Sequence, residues 1–384
     1  MNIKITAYNA ICNLGNDIDT IYKNALCGNI FKFAYIDNYI KNSYVYSGAV
    51  STELPQISEK DYDLKCNRLV LKTIEPLTAI IENAVRTYGE NRIAIITATT
   101  NSGVEEFEKT GNYRHFELGN PSQFLHKHLN LNGYFASVST ACSSGLKAFS
   151  LAKDIINSDI AGCAIVISVD TLAKVPLFGF NSLEVLSDSP SLPFGKNRRG
   201  MNIGEGCAVF MVEKDSDYGI EIMGIGESSD VYHSTTPDPE AKEAIKAIKS
   251  ALNEAQITPN MVDYINAHAT GTIANDLMEA KAINSIFGES VPVSSTKPLT
   301  GHCLGAAAGI ETALCCKLLD DFKGRLYPHM YDGVYDESLA KIRLVKPGEN
   351  FKKCEICMCN SFGFGGTNAI LILGKRDEKQ KISC

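Results

Sequence analysis

The sequence predicts an α/β chain built from two similar halves, residues 1–217 and 218–384, and three observations carry that expectation. Short apolar runs (RIAIITATT from 92, FASVSTA from 135, CAIVISVD from 163, CAVFMVE from 207) alternate with helical patterns such as LVLKTIEPLTAIIENAV from 69 and SGLKAFSLAKDIINS from 144. A similar order returns after 218: IEIMGIGES, the helical AKEAIKAIKSALNEA, VDYINAHATGT, VPVSSTKPLTGH, a helical run from 303, then CMCNSF and GGTNAILIL. No Pro/Gly/Ser-rich or low-complexity segment separates the halves, so they are expected to share one interface with the site between them.

Two correspondences tie the halves together. GEGCAVFMVE closes the first much as FGGTNAILILG closes the second, and a strand-to-helix turn occurs in each, at TACSSGLKAF and at TKPLTGHCLGAAAG. The chain has 384 residues, 45% hydrophobic and 21% charged, enough to bury a sizeable core. Its net charge of -7, with no basic tail, excludes nucleic acid or an anionic membrane as a general partner. The start, MNIKITAYNAICNLGND, reaches Asn and Asp before an apolar segment develops, so it reads as no signal peptide, and a cytoplasmic location is expected.

Thirteen cysteines without a framework suit reduced thiols. Cys354, Cys357 and Cys359 cluster in CEICMC, but no second CxxC or paired histidine completes a zinc set. They read as small apolar residues of a strand, and no metal is expected.

Cys142, in TACSSG, is different. It lies where a helix should begin, and unpaired N–H groups with the helix dipole there favour a thiolate. The small residues after it leave room for an acyl group, and its own N–H is placed to meet an oxyanion. Two histidines share the setting, His268 in NAHATGT and His302 in KPLTGHCLG, whereas His115, His126, His128, His233 and His329 do not. Two neutral imidazoles aimed at one oxygen stabilise an enolate. Lys297 and Glu311 flank His302 and fit equally a buried bracing pair or two surface charges. In NSFGFGG, Phe362 fits the core or the substrate side, and Phe364, between glycines, fits a gate over the thiol.

TACSSG, NAHATGT, KPLTGH and NSFGFGGTN, in this order, resemble the β-ketoacyl-[acyl-carrier-protein] synthases of the I/II type, with a Cys-His-His site, over nearly the whole chain. The resemblance implies a thiolase-like fold, with duplicated βαβαβαββ halves in αβαβα layers. It implies a homodimer, or a heterodimer with a related ketosynthase or chain-length factor, served by an acyl carrier protein. That carrier delivers its own phosphopantetheine arm, so no further cofactor is implied.

By the same resemblance Cys142 is the nucleophile, and His268 and His302 serve decarboxylation. Lys297 and Glu311 form the supporting pair, and the Phe364 N–H joins that of Cys142 in the oxyanion hole. Thr270 and Thr272 hold the pantetheine arm, and Lys65, Arg68 and Arg198 face the acidic carrier. The chain departs from the fatty-acid enzymes in its length, in Gly195 and Arg199 where acids are usual, and in HATGT. ITATTNSGVEE, GFNSLEVLS and NDLMEA are more similar to condensing enzymes of aryl-polyene and flexirubin-type pathways. Two other readings are a thiolase acting on acyl-coenzyme A and a non-catalytic chain-length-factor-like subunit. The first needs a second catalytic cysteine, and the second typically lacks the nucleophile that this chain keeps.

Overall fold

A computed structural model describes residues 2–28, 33–40 and 43–375. The two halves appear as two mirrored strand orders within one large sheet. Outward from the middle, the first half runs Ile3–Cys12, Gly206–Lys214, Cys163–Asp170, Ile93–Ala98 and Phe135–Val138. The second runs Ile220–Ser229, Thr367–Gly374, Ile356–Gly363, Tyr264–Asn266 and Pro292–Ser294, and Arg343–Leu344 is added at its edge. Corresponding strands come in the same chain order in each half. In both, the last two strands out from the middle pair in parallel, as helical crossovers require. The halves touch through a short antiparallel pairing, Lys4 with Glu221 and Ile5 with Ile220.

Alternation along the strands sets the layers. Ala94, Ile96, Val166, Ala208 and Phe210 face one way, into the same core as Tyr264, Cys357, Cys359, Ala369 and Leu371 of the other half. The helices Ser144–Asn157 and Ala307–Asp320 fill that shared middle layer. The alternate residues face outward: Ile93, Ile95, Ile165 and Val209 onto the helices Lys65–Ile74 and Thr78–Tyr88, and Ile265, Val293, Met358 and Ile370 onto Lys242–Glu254 and Ile273–Phe287. The result is five layers, helix, sheet, helices, sheet, helix.

The two middle helices approach closely because both carry glycine. A Cβ on Gly145 would lie 2.8 Å from the Gly309 nitrogen, and one on Gly309 would lie 2.4 Å from the Ser168 side chain. The helical pattern from 69 to 85 is not continuous. It breaks at Glu75–Leu77 into a tighter 3-10 turn, since Pro76 lacks the N–H that an uninterrupted helix needs. Among the described residues, no helix is long and apolar enough to cross a membrane.

Candidate active site

Cys142 lies between the strand Phe135–Val138 and the helix Ser144–Asn157, and a hydroxyl network fixes its turn. Ala141 takes a left-handed φ of 54°, Thr140 N–H donates to Ser144 Oγ at 2.8 Å, and Ser143 Oγ donates to the Thr140 carbonyl at 2.7 Å. The second half closes over this turn. Ser361 Oγ donates to the Cys142 carbonyl at 2.8 Å, and Thr367 Oγ1 to that of Thr140 at 2.9 Å. Only glycine fits at 363, where a Cβ would meet Thr367 Oγ1 at 2.6 Å and the Thr140 carbonyl at 3.0 Å.

The equivalent turn of the second half brings in His302. Its Nε2 is 3.0 Å from Cys142 Sγ, and its Nδ1 accepts the Leu304 N–H at 3.2 Å. That bond leaves the ring proton on Nε2, directed at the sulfur. His268 follows the strand Tyr264–Asn266, and its ring meets that of His302 edge-on, 5.4 Å between centroids. Donor atoms of Cys142, His268 and His302 all lie within 4.8 Å of one another, and no other such triad of His, Cys or acidic groups occurs among the described residues. Burial, reinforced by the Lys297 charge, holds both imidazoles well below the usual histidine range, so both are neutral.

Lys297 and Glu311 resolve as a buried pair, Nζ to Oε1 2.6 Å, with both side chains 2% exposed. Burial pushes the Glu311 carboxyl up to about 7 against the pull of Lys297. For Cys142 the thiolate expectation is corrected. Burial pushes the thiol up to about 11, although Lys297 and the N–H groups of Phe364 and Cys142 itself all act to lower it. The helix starts at Ser144, so Cys142 stands just ahead of its first turn, and the desolvation that comes with its burial outweighs the dipole.

A 310 Å³ cavity reaches Cys142, His268 and His302 and is lined by Thr270, Thr272 and Phe362. The two threonine hydroxyls are 2.9 Å apart, and the Phe362 ring stands edge-on to His268. On the other side a 460 Å³ apolar cavity is lined by Ala141, Pro176, Phe180, Leu183 and Leu304. Phe364 lies on the lining of both cavities, tilted against Phe180 at 5.9 Å, where a gate would sit. Cys303, the nearest candidate for a thiolase's second cysteine, is buried with its thiol on the Thr300 and Gly301 carbonyls and lines neither cavity.

The three basic residues expected to face a carrier do not form a free patch. Arg198 is buried, its guanidinium 2.5 Å from Asp336 and 3.6 Å from Asp276. Lys65 is spent on the buried Glu205 at 2.7 Å, and Arg68 on Asp63 at 2.6 Å. Each partner comes from a distant segment or a neighbouring turn that single basic residues do not reveal.

Sequence reasoning also missed the buried acids behind the site. Asp170 accepts from Thr99 Oγ1, from the N–H and hydroxyl of Thr100, from the Asn101 N–H and, across the halves, from the Gly305 N–H at 2.7 Å. Glu279 takes the N–H groups of His268 and Ala269, at 2.8 and 2.6 Å, and thereby fixes the His268 turn. His329 was likewise passed over. It ties the Pro193 carbonyl at 2.8 Å to the Ser295 N–H at 3.2 Å, two residues before Lys297. The signals were slight, an acid closing the strand CAIVISVD and the i, i+3 spacing of Asp276 and Glu279 in NDLMEA. In CEICMC, Cys357 and Cys359 face the middle layer, and Cys359 Sγ lies 3.3 Å from Cys315 Sγ, with every one of these thiols free.

A buried thiol, two neutral imidazoles and a backbone N–H pair, held between duplicated thiolase-type halves, define a thioester-processing acyltransferase. Residues 121–218 match the β-ketoacyl synthase N-terminal domain and residues 220–324 its C-terminal domain, together more than half of the chain. The ketosynthase ApeO of Xenorhabdus doucetiae, solved in complex with its chain length factor ApeC, is 35% identical, with a TM-score of 0.92 over 98% of both chains. The 3-oxoacyl-[acyl-carrier-protein] synthase 2 of Coxiella burnetii is 37% identical over 64% of this chain and 63% of its own length. That of Staphylococcus aureus strain MRSA252 is 28% identical over 98% of each. The chain belongs to the β-ketoacyl synthase family and is an acyltransferase of the carbon–carbon bond-forming class.

Proposed function

We propose that this synthase takes an acyl group from a carrier protein's phosphopantetheine thioester onto Cys142 and condenses it with a malonyl unit. The observation that carries the reading is the convergence on Cys142 Sγ of His302 Nε2, at 3.0 Å, and the N–H groups of Cys142 and Phe364. In loading, the Cys142 sulfur attacks the thioester carbon, the N–H pair takes the charge on its oxygen, and the pantetheine thiolate leaves with the Cys142 proton. In condensation, the malonyl thioester breaks its carbon–carboxylate bond and releases carbon dioxide. The enolate oxygen is met by His302 Nε2–H and by His268. The enolate carbon attacks the acyl carbonyl, and collapse expels the Cys142 thiolate, which recovers a proton.

The apolar cavity beyond Phe364 suits the acyl chain. Beside it the helix Lys174–Ser182 leaves Val175 and Phe178 exposed, and the edge strand Phe135–Val138 leaves Phe135 exposed, apolar groups that a second subunit would cover. A like subunit or a chain-length factor fits that place, as in the complex of ApeO with its chain length factor, and the segments ITATTNSGVEE, GFNSLEVLS and NDLMEA support a role in aryl-polyene-type synthesis. The test is intact-mass analysis after incubation with acyl carrier protein. The wild type gains one acyl group, Cys142→Ala gains none, and an undiminished adduct on the variant would overturn the assignment.

A further inference from the structure

We propose that Arg199 binds the phosphate of the carrier-borne phosphopantetheine arm and so selects carrier thioesters over phosphate-free ones. The inference rests on the reading of Cys142 as acceptor from such an arm. Arg199 lines the same cavity as Cys142, and it is exposed where Cys142 is buried. When the thiol end of the arm reaches Cys142, the phosphate at its other end remains toward the mouth. In contrast to Lys65, Arg68 and Arg198, Arg199 has no carboxylate within 4.0 Å among the described residues. A chain of net charge -7 needs a local cation to receive an anion, and the planar guanidinium fork matches phosphate oxygens.

The backbone holds Arg199 in place. Arg198 before it is anchored on Asp336, and Gly200 after it donates its N–H to the Gly271 carbonyl at 3.1 Å. A Cβ at Gly200 would meet the Val185 carbonyl at 2.3 Å, so this loop packs without slack. Two acids share the cavity lining. Asp230 is occupied by the N–H groups of Tyr232 and Asp238, at 2.8 and 2.7 Å, whereas Glu184 is exposed and opposes the anion.

The experiment compares kcat/KM for acylation of the full chain by acyl-pantetheine, acyl-phosphopantetheine and acyl carrier protein. Wild type, Arg199→Ala and Arg199→Lys are each measured. The wild type should prefer the phosphorylated arm, and that preference should fall about tenfold in Arg199→Ala. Arg199→Lys should keep part of it, and added salt should erode it. Equal losses on the phosphorylated and unphosphorylated arms would make Arg199 structural and overturn the proposal. A loss confined to the whole carrier protein would also overturn it, in favour of a contact with the carrier's surface. If the wild type is acylated by none of the three thioesters, the reading of Cys142 itself fails.

Discussion

Replacing Lys297 by methionine should make stability newly sensitive to alkaline pH. In the wild type Nζ lies 2.6 Å from Glu311 Oε1, both groups are 2% exposed, and burial has already pushed the carboxyl up to about 7. Without the lysine it moves higher still. A carboxyl raised on folding contributes stability that is full below its unfolded value near 4.5 and is lost as pH rises through the folded value. In the wild type that loss levels off at about 7. In the variant it continues, so the gap between the two widens by about 1.4 kcal/mol per pH unit above 7. It should approach the roughly 3–5 kcal/mol typical of a buried pair that loses one member. Urea unfolding at pH 6, 7, 8 and 9 measures it, with a small gap at 6 and about 2–3 kcal/mol at 9. Adding Glu311→Gln to the variant removes the ionisable group and should flatten the profile. A gap that stays constant from pH 6 to 9 in the single variant would mean that Lys297 does not set the ionisation of Glu311.

Alkylation of Cys142 by iodoacetamide, followed on its own peptide, should keep accelerating through pH 9 to 10, because burial holds the thiol near 11. A plateau by pH 7 would mean a preformed thiolate. Asp170→Asn keeps the shape but turns an amide N–H₂ toward donors such as Thr100 and Gly305, and should lower unfolding stability by about 1–3 kcal/mol. Unchanged stability would show that the network across the halves carries little.

Strand alternation and the repeated order of elements were legible because a sheet covered on both faces needs apolar residues on both sides, as in CAIVISVD and CAVFMVE. Cys142, His268 and His302 were legible because each sits at a strand end among residues too small to fill its surroundings. What remained hidden depends on partners brought from afar. Lys297 and Glu311 stayed undecided until the turn through His302 put them together. Arg198 reads as a surface charge until Asp336, 138 residues away, closes on it. The Cys142 thiol was misjudged for a related reason: a motif displays the helix terminus, whereas desolvation comes from residues of both halves that close around the sulfur.

If loading and decarboxylation use different groups around one thiol, as proposed, His302→Ala separates them. The variant is given acyl carrier protein, then malonyl carrier protein, and both chain and carrier are weighed by intact mass. The acyl adduct on Cys142 should persist, with carbon dioxide release and β-ketoacyl carrier formation slowed by roughly 10²–10³, the loss expected when one oxyanion donor is removed. Condensation near the wild-type rate, with no acyl-enzyme accumulating, would contradict it.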